Sequence, residues 1–507
     1  MGRTRKELPM AGQPTPPSTL LGTLSLSKGH VPRPQFITPD KFHDECAVFG
    51  IYGHKEAANI TYLGLYALQH RGQEGSGIAA SDGEHFHAEK GLGLVADIYT
   101  KSTIKRLHGH MAIGHNRYST AGGGGLRNVQ PLTVNFAFGN LALAHNGNLI
   151  NAQMLRNELE AYGSIFQSTT DSEVIIHLIA HSRADTLLAR IVDALSQVRG
   201  AFSLVILTDQ GVIAARDSYG LRPLCLGQVK GSWVVASETC AFDLIGGEYV
   251  RDIEPGELVV LDQRGLTSLK PFSQTREAMC VFEYVYFARP DSKIFGDNTV
   301  YATRKAYGRQ LAKESKVPAD LVIAVPDSGV PAALGFAEGA GIPFETGLIR
   351  NHYVGRTFIE PEQQIRHFGV KVKLNAVPDV LKGKRVVVVD DSMVRGTTSR
   401  KIVKMIRHAG AKEVHMRISS PPIISPCFYG IDTPTKKELI ASSHRIQEIK
   451  KYITADSLAY LSLEGMLKAS PASPTRYCSA CFTEQYPIPF TKAEELQLGL
   501  FESHHQG

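Results

Sequence analysis

The fold is decided by the stretch Lys384–Lys401, KRVVVVDDSMVRGTTSRK. Its four consecutive valines, 386–389, need burial on both faces, which is typical of a central strand in a parallel sheet. Two carboxylates, Asp390 and Asp391, end the strand, and Ser399–His408 has the apolar spacing of a helix. A loop of small residues at a helix N-terminus favours anions, because backbone N–H groups point outward and the helix dipole attracts negative charge. The stretch therefore predicts an anion-binding cradle.

The residue types of the loop refine this prediction. Gly396 lets the backbone approach a phosphate, and Thr397 and Thr398 add hydroxyl donors. The paired acids would repel phosphate, so we expect them to face ribose hydroxyls or a divalent metal. The loop lacks the Gly-Lys-Ser/Thr of a Walker motif and the GxGxxG of a dinucleotide site. The stretch resembles the phosphoribosyl-pyrophosphate signature of type I phosphoribosyltransferases, and the alternative is an ordinary strand and helix joined by a polar turn.

Bulk properties bound the function class. A chain of 507 residues is too long for one core and predicts two or three domains. The net charge of +6 and the absence of a basic stripe argue against a nucleic-acid partner, and the sequence has no apolar run of membrane-spanning length. Its seven scattered cysteines argue against a disulfide framework and for a reducing compartment, which predicts a cytoplasmic protein.

The N-terminal segment 1–45 holds seven of the 26 prolines and shows no sustained periodicity. This composition predicts disorder, with ordered structure starting at Cys46. An organelle transit peptide is the alternative, indicated by Arg3, Arg5 and the hydroxyl residues, although acidic residues and prolines argue against it.

Residues 46–272 combine alternating apolar runs, such as FSLVILT at 202–208, with hairpin-like connections, so we expect a mainly antiparallel sheet covered by helices. Polar motifs lie between these runs: QHRGQ (69–73), GHNRY (114–118), HNGN (145–148) and TTDSE (169–173). These motifs resemble the class II glutamine amidotransferase domain of the N-terminal-nucleophile family, whose fold is a four-layer αββα sandwich.

The resemblance implies roles for six residues: Cys46 as the nucleophile, Asn146 and Gly147 as the oxyanion hole, Arg117 on the glutamine carboxylate, Asp171 on its amino group, and Arg71 supporting the substrate site. The chemistry suits these residue types, because an arginine binds a carboxylate through two N–H groups and an amide beside a glycine N–H offers two donors to an oxyanion.

An N-terminal nucleophile uses its own α-amine, with a pKa of about 7.7 to 8.0, as the base. Since Cys46 lies inside the chain, this hypothesis requires that residues 1–45 are a propeptide that is removed. The alternative for Cys46 alone is a buried structural thiol.

Residues 273–465 alternate Val/Ile-rich runs with helices, which predicts parallel βαβ units and an α/β domain. The resemblance of the stretch 384–401 implies that this domain is of the type I phosphoribosyltransferase class. A second strand, loop and helix unit contains Pro326-Asp327-Ser328-Gly329, which is either the pyrophosphate loop of that class or a simple turn. The segment RNHYVGRTFI (350–359) resembles the mobile catalytic loop of the family, with His352 where relatives carry Arg or Lys; a solvated basic loop is the alternative.

The same resemblance implies two ligand sets in this domain. The substrate-binding residues would be Arg356, Ser392, Arg395, Gly396, Thr397 and Thr398. One Mg²⁺ per subunit would be held by Ser328, Asp390 and Asp391.

Four further cysteines lie in the second half: Cys280, Cys427, Cys478 and Cys481. One CxxC pair with two remote cysteines is weak evidence for zinc, whereas four thiolates suit a [4Fe-4S] cluster. They fall where the processed, cluster-bearing branch of glutamine phosphoribosylpyrophosphate amidotransferases has its ligands, which implies one structural cluster per subunit and a C-terminal tail, 466–507, that carries two ligands. Cys225 and Cys240 have no such match and are expected to be core thiols.

Taken together, the motifs from Cys46 to about Pro489 resemble the amidophosphoribosyltransferase family. Membership would imply transfer of ammonia from glutamine to 5-phosphoribosyl 1-pyrophosphate (PRPP), giving 5-phosphoribosylamine in the first committed step of purine synthesis, by a homotetramer that purine nucleotides inhibit. Two alternatives stay open at this point: an amidotransferase of sugar phosphates, and an inactive nucleotide-sensing regulator.

Overall fold

The computed structural model describes residues 46–118, 125–273, 276–351, 374–491 and 494, all within one compact unit. The predicted propeptide, His352 and Arg356 lie outside these residues. Among the described helices, none combines the length and the apolar character needed to cross a membrane.

The strands, in chain order, are β1 (Ala47–Tyr52), β2 (Gly75–Ser81), β3 (Phe86–Leu92), β4 (Met111–Arg117), β5 (Leu132–Phe136), β6 (Gly139–Leu149), β7 (Gly200–Thr208), β8 (Gly211–Arg216), β9 (Cys225–Val229), β10 (Ser232–Ala236), β11 (Glu248–Asp252), β12 (Leu258–Asp262), β13 (Gly265–Leu269), β14 (Met279–Cys280), β15 (Leu321–Ala324), β16 (Leu348–Arg350), β17 (Leu374–Ala376), β18 (Arg385–Asp390), β19 (Glu413–Ile418), β20 (Ser457–Tyr460) and β21 (Tyr477–Cys478).

The α-helices, in chain order, are α1 (Ala57–Ala67), α2 (Val95–Ile98), α3 (Lys101–Arg106), α4 (Ala152–Ala161), α5 (Ser172–His181), α6 (Leu187–Gln197), α7 (Cys240–Ile245), α8 (Val300–Ser315), α9 (Val330–Ala340), α10 (Pro378–Leu381), α11 (Thr397–His408), α12 (Ile440–Ser443), α13 (Ile446–Ile453), α14 (Leu463–Ala469) and α15 (Ala480–Thr483).

The first half is built on two antiparallel sheets. One has seven strands in the order β11-β9-β10-β1-β4-β2-β3, and the other has six in the order β13-β12-β8-β7-β6-β5. Buried side chains such as Val48, Ala144 and Val205 fill the space between the sheets. Helices α1 and α7 cover the outer face of the first sheet, and α5 and α6 cover the outer face of the second. The predicted four-layer αββα fold is therefore confirmed.

The second half contains a parallel sheet in the order β15-β18-β19-β20. Its strand β18 carries the four valines, all completely buried. Val387 and Val389 join the core with α8 and α9, whereas Val386 and Val388 join the core with α11 and α13. Because alternate side chains point to opposite faces, this division confirms the predicted central strand with two buried faces.

Some boundaries differ from the predicted ones. Helix α11 begins at Thr397, two residues before the predicted Ser399, because Gly396 takes the N-cap position with φ +73°. The domain boundary predicted between residues 465 and 466 falls inside α14, which packs in the same core as α8.

Arg304 on α8 fixes the segment that joins the two halves. Its guanidinium is buried and donates to the carbonyl oxygens of Tyr284 (2.7 Å), Tyr286 (2.7 Å) and Ala288 (2.8 Å). These carbonyls belong to a π-helical turn at Glu283–Phe287 and to the residue that follows it. Burial lowers the pKa of Arg304, although the negative charges of Asp391 and Glu238 act in the opposite direction and raise it. The Arg304 side chain therefore provides hydrogen-bond donors to three backbone carbonyl groups at once.

We predict that Arg304→Met lowers the midpoint of thermal denaturation by several degrees, because three buried carbonyls lose their donor. The measurement is a thermal melt, with Arg407→Met as the control, since Arg407 forms an exposed pair with Asp456. Equal midpoints for the two variants would contradict this role.

Candidate active sites

The predicted nucleophile, Cys46, immediately precedes β1 and is 9% exposed. Its thiol donates a hydrogen bond to the carbonyl oxygen of Tyr118 (Sγ···O 3.4 Å). The thiol faces a pocket that is also lined by Arg117, Gly147 and Asp171. The two sheets therefore bring together, in one place, residues that the sequence spreads over 126 positions.

Asp171 is fixed at the start of α5. One carboxylate oxygen accepts from the backbone N–H of Leu149 (2.9 Å), and the other accepts from the hydroxyl of Ser172 (3.1 Å). The imidazole of His145 contacts the same hydroxyl (2.9 Å) and lies 3.8 Å from the carboxylate. This arrangement holds a negative charge at the pocket wall, where it can meet an ammonium group.

Asn146 and Gly147 occupy consecutive positions on β6. The amide nitrogen of Asn146 is buried and has no hydrogen-bond partner among the described residues. At Gly147 the backbone has φ +151°, and an added Cβ would lie 2.1 Å from the carbonyl oxygen of Ala201, so only glycine fits there. A buried donor without an acceptor is costly unless a ligand supplies one, as a developing oxyanion would.

Two histidines of the pocket, His115 and His145, were not singled out from the sequence. The pKa of His115 is lowered to about 3, mainly by burial. A hydrogen bond to the His145 carbonyl raises this pKa, whereas the charges of Arg117 and His145 lower it. The ring of His145 is engaged at both nitrogens, with Ser172 at Nδ1 and the carbonyl oxygen of Ala201 at Nε2. A histidine with so low a pKa is a poor base at neutral pH, and His145 is held by its neighbours.

Arg71 lies behind the nucleophile and does not line the pocket. It donates to the carbonyl oxygen of Cys46 (3.2 Å), and it pairs with Glu238 (2.6 Å) and Glu283 (2.8 and 2.9 Å). The side chains of the arginine and both glutamates are fully buried. Arg71 therefore holds the backbone of Cys46 from behind rather than lining the pocket.

The second site lies at the carboxyl ends of β15 and β18, which are neighbours in the parallel sheet. Asp390, Asp391 and Ser392 are all at most 3% exposed. The hydroxyl of Ser328 in the first loop donates to the carboxylate of Asp391 in the second. The two predicted anion loops therefore meet at one edge of the sheet, as parallel strands require.

The rest of the second loop presents groups at different depths. Gly396 caps α11, Thr397 at its first turn is exposed, and Thr398 is half-buried. Arg395 pairs with Glu438 (2.8 Å). The N-terminus of α11 is thus placed where a phosphate could bind, whereas Arg395, which pairs with Glu438, would have to exchange its partner to contact one.

The described residues contain no group of three or more His, Cys, Asp or Glu side chains arranged to hold a single metal ion. This observation is compatible with Mg²⁺ at Asp390 and Asp391, because Mg²⁺ keeps several waters and is commonly bound by one or two carboxylates plus substrate phosphates.

The four predicted cluster ligands converge on one cavity. Cys280 and Cys478 are paired on the short parallel strands β14 and β21, and Cys427 and Cys481 line the same cavity. The rest of its lining comes from Leu221, Arg222, Tyr429, Ile431, Ala480 and Tyr486. Burial raises the pKa of Cys478 to about 12 and that of Cys481 well above its ordinary value. Metal binding would have to displace the protons of these thiols, because the thiolate is the form that ligates a metal. A [4Fe-4S] cube spreads four thiolates more widely than one ion does, so the donor set fits a cluster.

The sequence also gave no role to Arg222, Glu238 and Glu283. All three are fully buried and charged. The one available signal was a lone acid or base within an apolar run, as in CVFEYVYF at 280–287, which indicates a buried pair without naming its partner.

Comparison with known proteins agrees with this geometry. Residues 115–243 match the family model described as a glutamine amidotransferase domain. The chain is 54% identical over 450 residues to the amidophosphoribosyltransferase of Bacillus subtilis, covering 88% of this chain and 94% of the relative. It is 52% identical to the chloroplastic amidophosphoribosyltransferase 3 of Arabidopsis thaliana, covering 90% and 86% of the two chains.

Solved structures give the same result. The glutamine PRPP amidotransferase from B. subtilis, solved in complex with ADP and GMP, matches with a TM-score of 0.84 and 52% identity over 88% of this chain and 98% of that one. A structure described as the allosteric regulatory enzyme of purine biosynthesis matches with a TM-score of 0.85 and 53% identity over 88% of this chain and 97% of that one. At this identity and coverage, the chain belongs to the amidophosphoribosyltransferase family.

Proposed function

We propose that this enzyme hydrolyses glutamine at Cys46 and transfers the ammonia to PRPP, giving 5-phosphoribosylamine, pyrophosphate and glutamate, the first step of purine biosynthesis. The observation that carries the proposal is the pocket shared by Cys46, Arg117, Gly147 and Asp171, in the same compact unit as the acid-ended strand β18.

In the first pocket, Arg117 would bind the α-carboxylate of glutamine and Asp171 its ammonium group, which places the side-chain amide beside the thiol. The Cys46 sulfur then adds to the amide carbonyl carbon, while Asn146 Nδ2 and the Gly147 N–H stabilise the oxyanion. The amide nitrogen leaves as ammonia after receiving a proton, and water cleaves the thioester to glutamate.

The base for this step is the α-amine of Cys46, which exists only after residues 1–45 are removed. Two observations support this assignment: the pKa of about 3 makes His115 a poor base, and both ring nitrogens of His145 have partners. Intact-mass analysis of active enzyme tests the assignment, and we expect a chain that starts at Cys46. Full activity in a chain that keeps the extension would refute it.

In the second site, the α11 N-terminus with Ser392, Thr397 and Thr398 would bind the 5-phosphate, and the carboxylates of Asp390 and Asp391 would face the ribose hydroxyls. Asp390, Asp391 and Ser328 would hold Mg²⁺, which offsets the charge on departing pyrophosphate. Arg356 is proposed as a further substrate contact on the resemblance alone. The site must exclude water, because an oxocarbenium-like carbon would otherwise be hydrolysed.

Cys280, Cys427, Cys478 and Cys481 would hold one [4Fe-4S] cluster per subunit, with a structural role that ties the C-terminal tail to the transferase half. Their convergence on one cavity supports this proposal.

We further propose a cytoplasmic homotetramer that is inhibited by purine nucleotides. The B. subtilis relative solved with ADP and GMP supports the nucleotide part. Light scattering and inhibition assays with these two nucleotides test both properties. Identity of 52–54% to amidophosphoribosyltransferases supports the proposed reaction. It supports neither of the two alternatives, a sugar-phosphate amidotransferase and an inactive regulator.

The two sites predict separable losses. Cys46→Ala should abolish pyrophosphate release with glutamine but keep the rate with ammonia, because only the nucleophile is lost. The double variant Asp390→Asn and Asp391→Asn should lose both rates by about a hundredfold or more, because binding and metal chemistry at the sugar are removed. Pyrophosphate release with each nitrogen source measures both.

Cys225→Ala serves as the control for the thiol variant, since Cys225 is a buried thiol on β9 that lines neither the Cys46 pocket nor the cysteine cavity, and we expect both of its rates to stay near the unmodified ones. Retention of 5-phosphoribosylamine formation by the double variant would contradict the assignment of the second site.

Cluster content gives an independent prediction. Anaerobically purified enzyme should contain about four irons and four inorganic sulfides per chain. Cys481→Ser should lose most of this iron, whereas Cys225→Ser should keep it, because Cys225 lies outside the cavity. Stoichiometric zinc without sulfide would overturn the cluster.

A further inference from the structure

The segment Cys427–Gly430 connects the cysteine cavity to the glutaminase half. Cys427 lines the cysteine cavity, and the segment follows β19 of the transferase half. Its next three residues nevertheless contact the glutaminase half, each through backbone atoms. These contacts reach the strand that carries the oxyanion donors.

The first contact is a direct approach of two glycines. Gly430 has φ +104°, and an added Cβ would lie 2.8 Å from the carbonyl carbon of Gly147 and 3.0 Å from its Cα. Only glycine allows this approach, and it leaves the backbone of Gly147 no room to shift toward the segment.

The second contact is a hydrogen bond beside it. The side-chain amide of Asn148 donates to the carbonyl oxygen of Phe428 (2.9 Å). Asn148 follows Gly147 on β6, so the bond fixes the strand directly after the oxyanion donors.

The third contact leads to the nucleophile. Arg222 donates to the carbonyl oxygen of Tyr429 (2.7 and 3.0 Å) and pairs with Glu283 (3.4 Å). Glu283 in turn binds Arg71, which donates to the carbonyl oxygen of Cys46. The segment thus supports both the oxyanion donors and the thiol from behind.

We propose that Cys427–Gly430 is a positioning element of the glutaminase site: the cysteine-cavity side of the transferase half sets the geometry of glutamine hydrolysis. None of its residues contacts glutamine in the proposed mechanism, and they act through Gly147, Asn148 and Arg71. The proposal rests on the assignment of Asn146 and Gly147 as oxyanion donors.

The test uses mature, cluster-loaded enzyme with Gly430→Ala and Asn148→Asp. The first pushes a methyl group against Gly147, and the second replaces the donor to Phe428 with a carboxylate. We expect each variant to lower kcat with glutamine by about tenfold or more, with little change in KM for glutamine, because the residues that bind glutamine are untouched. The ammonia-dependent rate and the iron content should stay within about twofold.

Gly410→Ala is the matched control. Gly410 has a similar φ of +94°, and the three atoms nearest to its added Cβ would all belong to Lys382, the closest at 3.2 Å. This variant carries the same backbone cost inside the transferase half, and we expect both rates to be kept. Should Gly430→Ala fail to fold, Asn148→Asp decides the outcome.

The Asn146→Ala variant, measured alongside, tests the assignment of the oxyanion donors separately from the positioning role of Cys427–Gly430. If Asn146→Ala keeps the glutamine-driven rate, the donor assignment fails and this proposal fails with it. If Asn146→Ala loses that rate while Gly430→Ala and Asn148→Asp keep theirs, the positioning role alone is overturned. Equal loss of the glutamine and ammonia rates in Asn148→Asp would also overturn it.

Discussion

The structure depends on one buried carboxylate, Glu283, which binds two arginines from the other half of the chain. Arg71 approaches it at 2.8 and 2.9 Å and Arg222 at 3.4 Å, and all three side chains are fully buried. Burying charges costs free energy unless each has partners, and removing one partner typically destabilises by about 3–5 kcal/mol. The ion pairs of Glu283 with Arg71 and Arg222 therefore hold the two halves together at this point.

A second carboxylate, Glu238, completes the network. Burial alone would raise its pKa, but the charge and hydrogen bond of His70, followed by the charge of Arg71 and a bond from Ser292, bring the pKa below its ordinary value. The carboxylate is thus ionised and can share Arg71 with Glu283. The consequence is local, because the arginine that these acids orient also holds the Cys46 carbonyl. Cys46, the proposed nucleophile, is thus linked through Arg71 to Glu283 of the transferase half.

The sequence predicted the parts of this design that local patterns encode. The valine strand needed two buried faces, and Val386 and Val387 do point into different cores. The HNGN and TTDSE motifs indicated the pocket through their resemblance to the class II glutamine amidotransferase domain, since each motif is a few adjacent residues that can be compared directly. The buried network could not be predicted from the sequence, because Arg71 and Glu283 are 212 positions apart and the residues next to each do not identify its partner. The packing of Gly430 on Gly147 could not be predicted either, because the sequence around a loop glycine does not show which backbone segment packs against it.

The proposed coupling runs through this buried network, which links the transferase half to glutamine chemistry. Its most direct test is the ratio of glutamine-driven to ammonia-driven pyrophosphate release in Glu283→Gln, with Glu257→Gln as the control, since Glu257 is a buried acid that pairs with Arg251 away from both sites. The account predicts that the ratio falls by about tenfold in Glu283→Gln and is unchanged in the control. An unchanged ratio in a folded Glu283→Gln enzyme would contradict it.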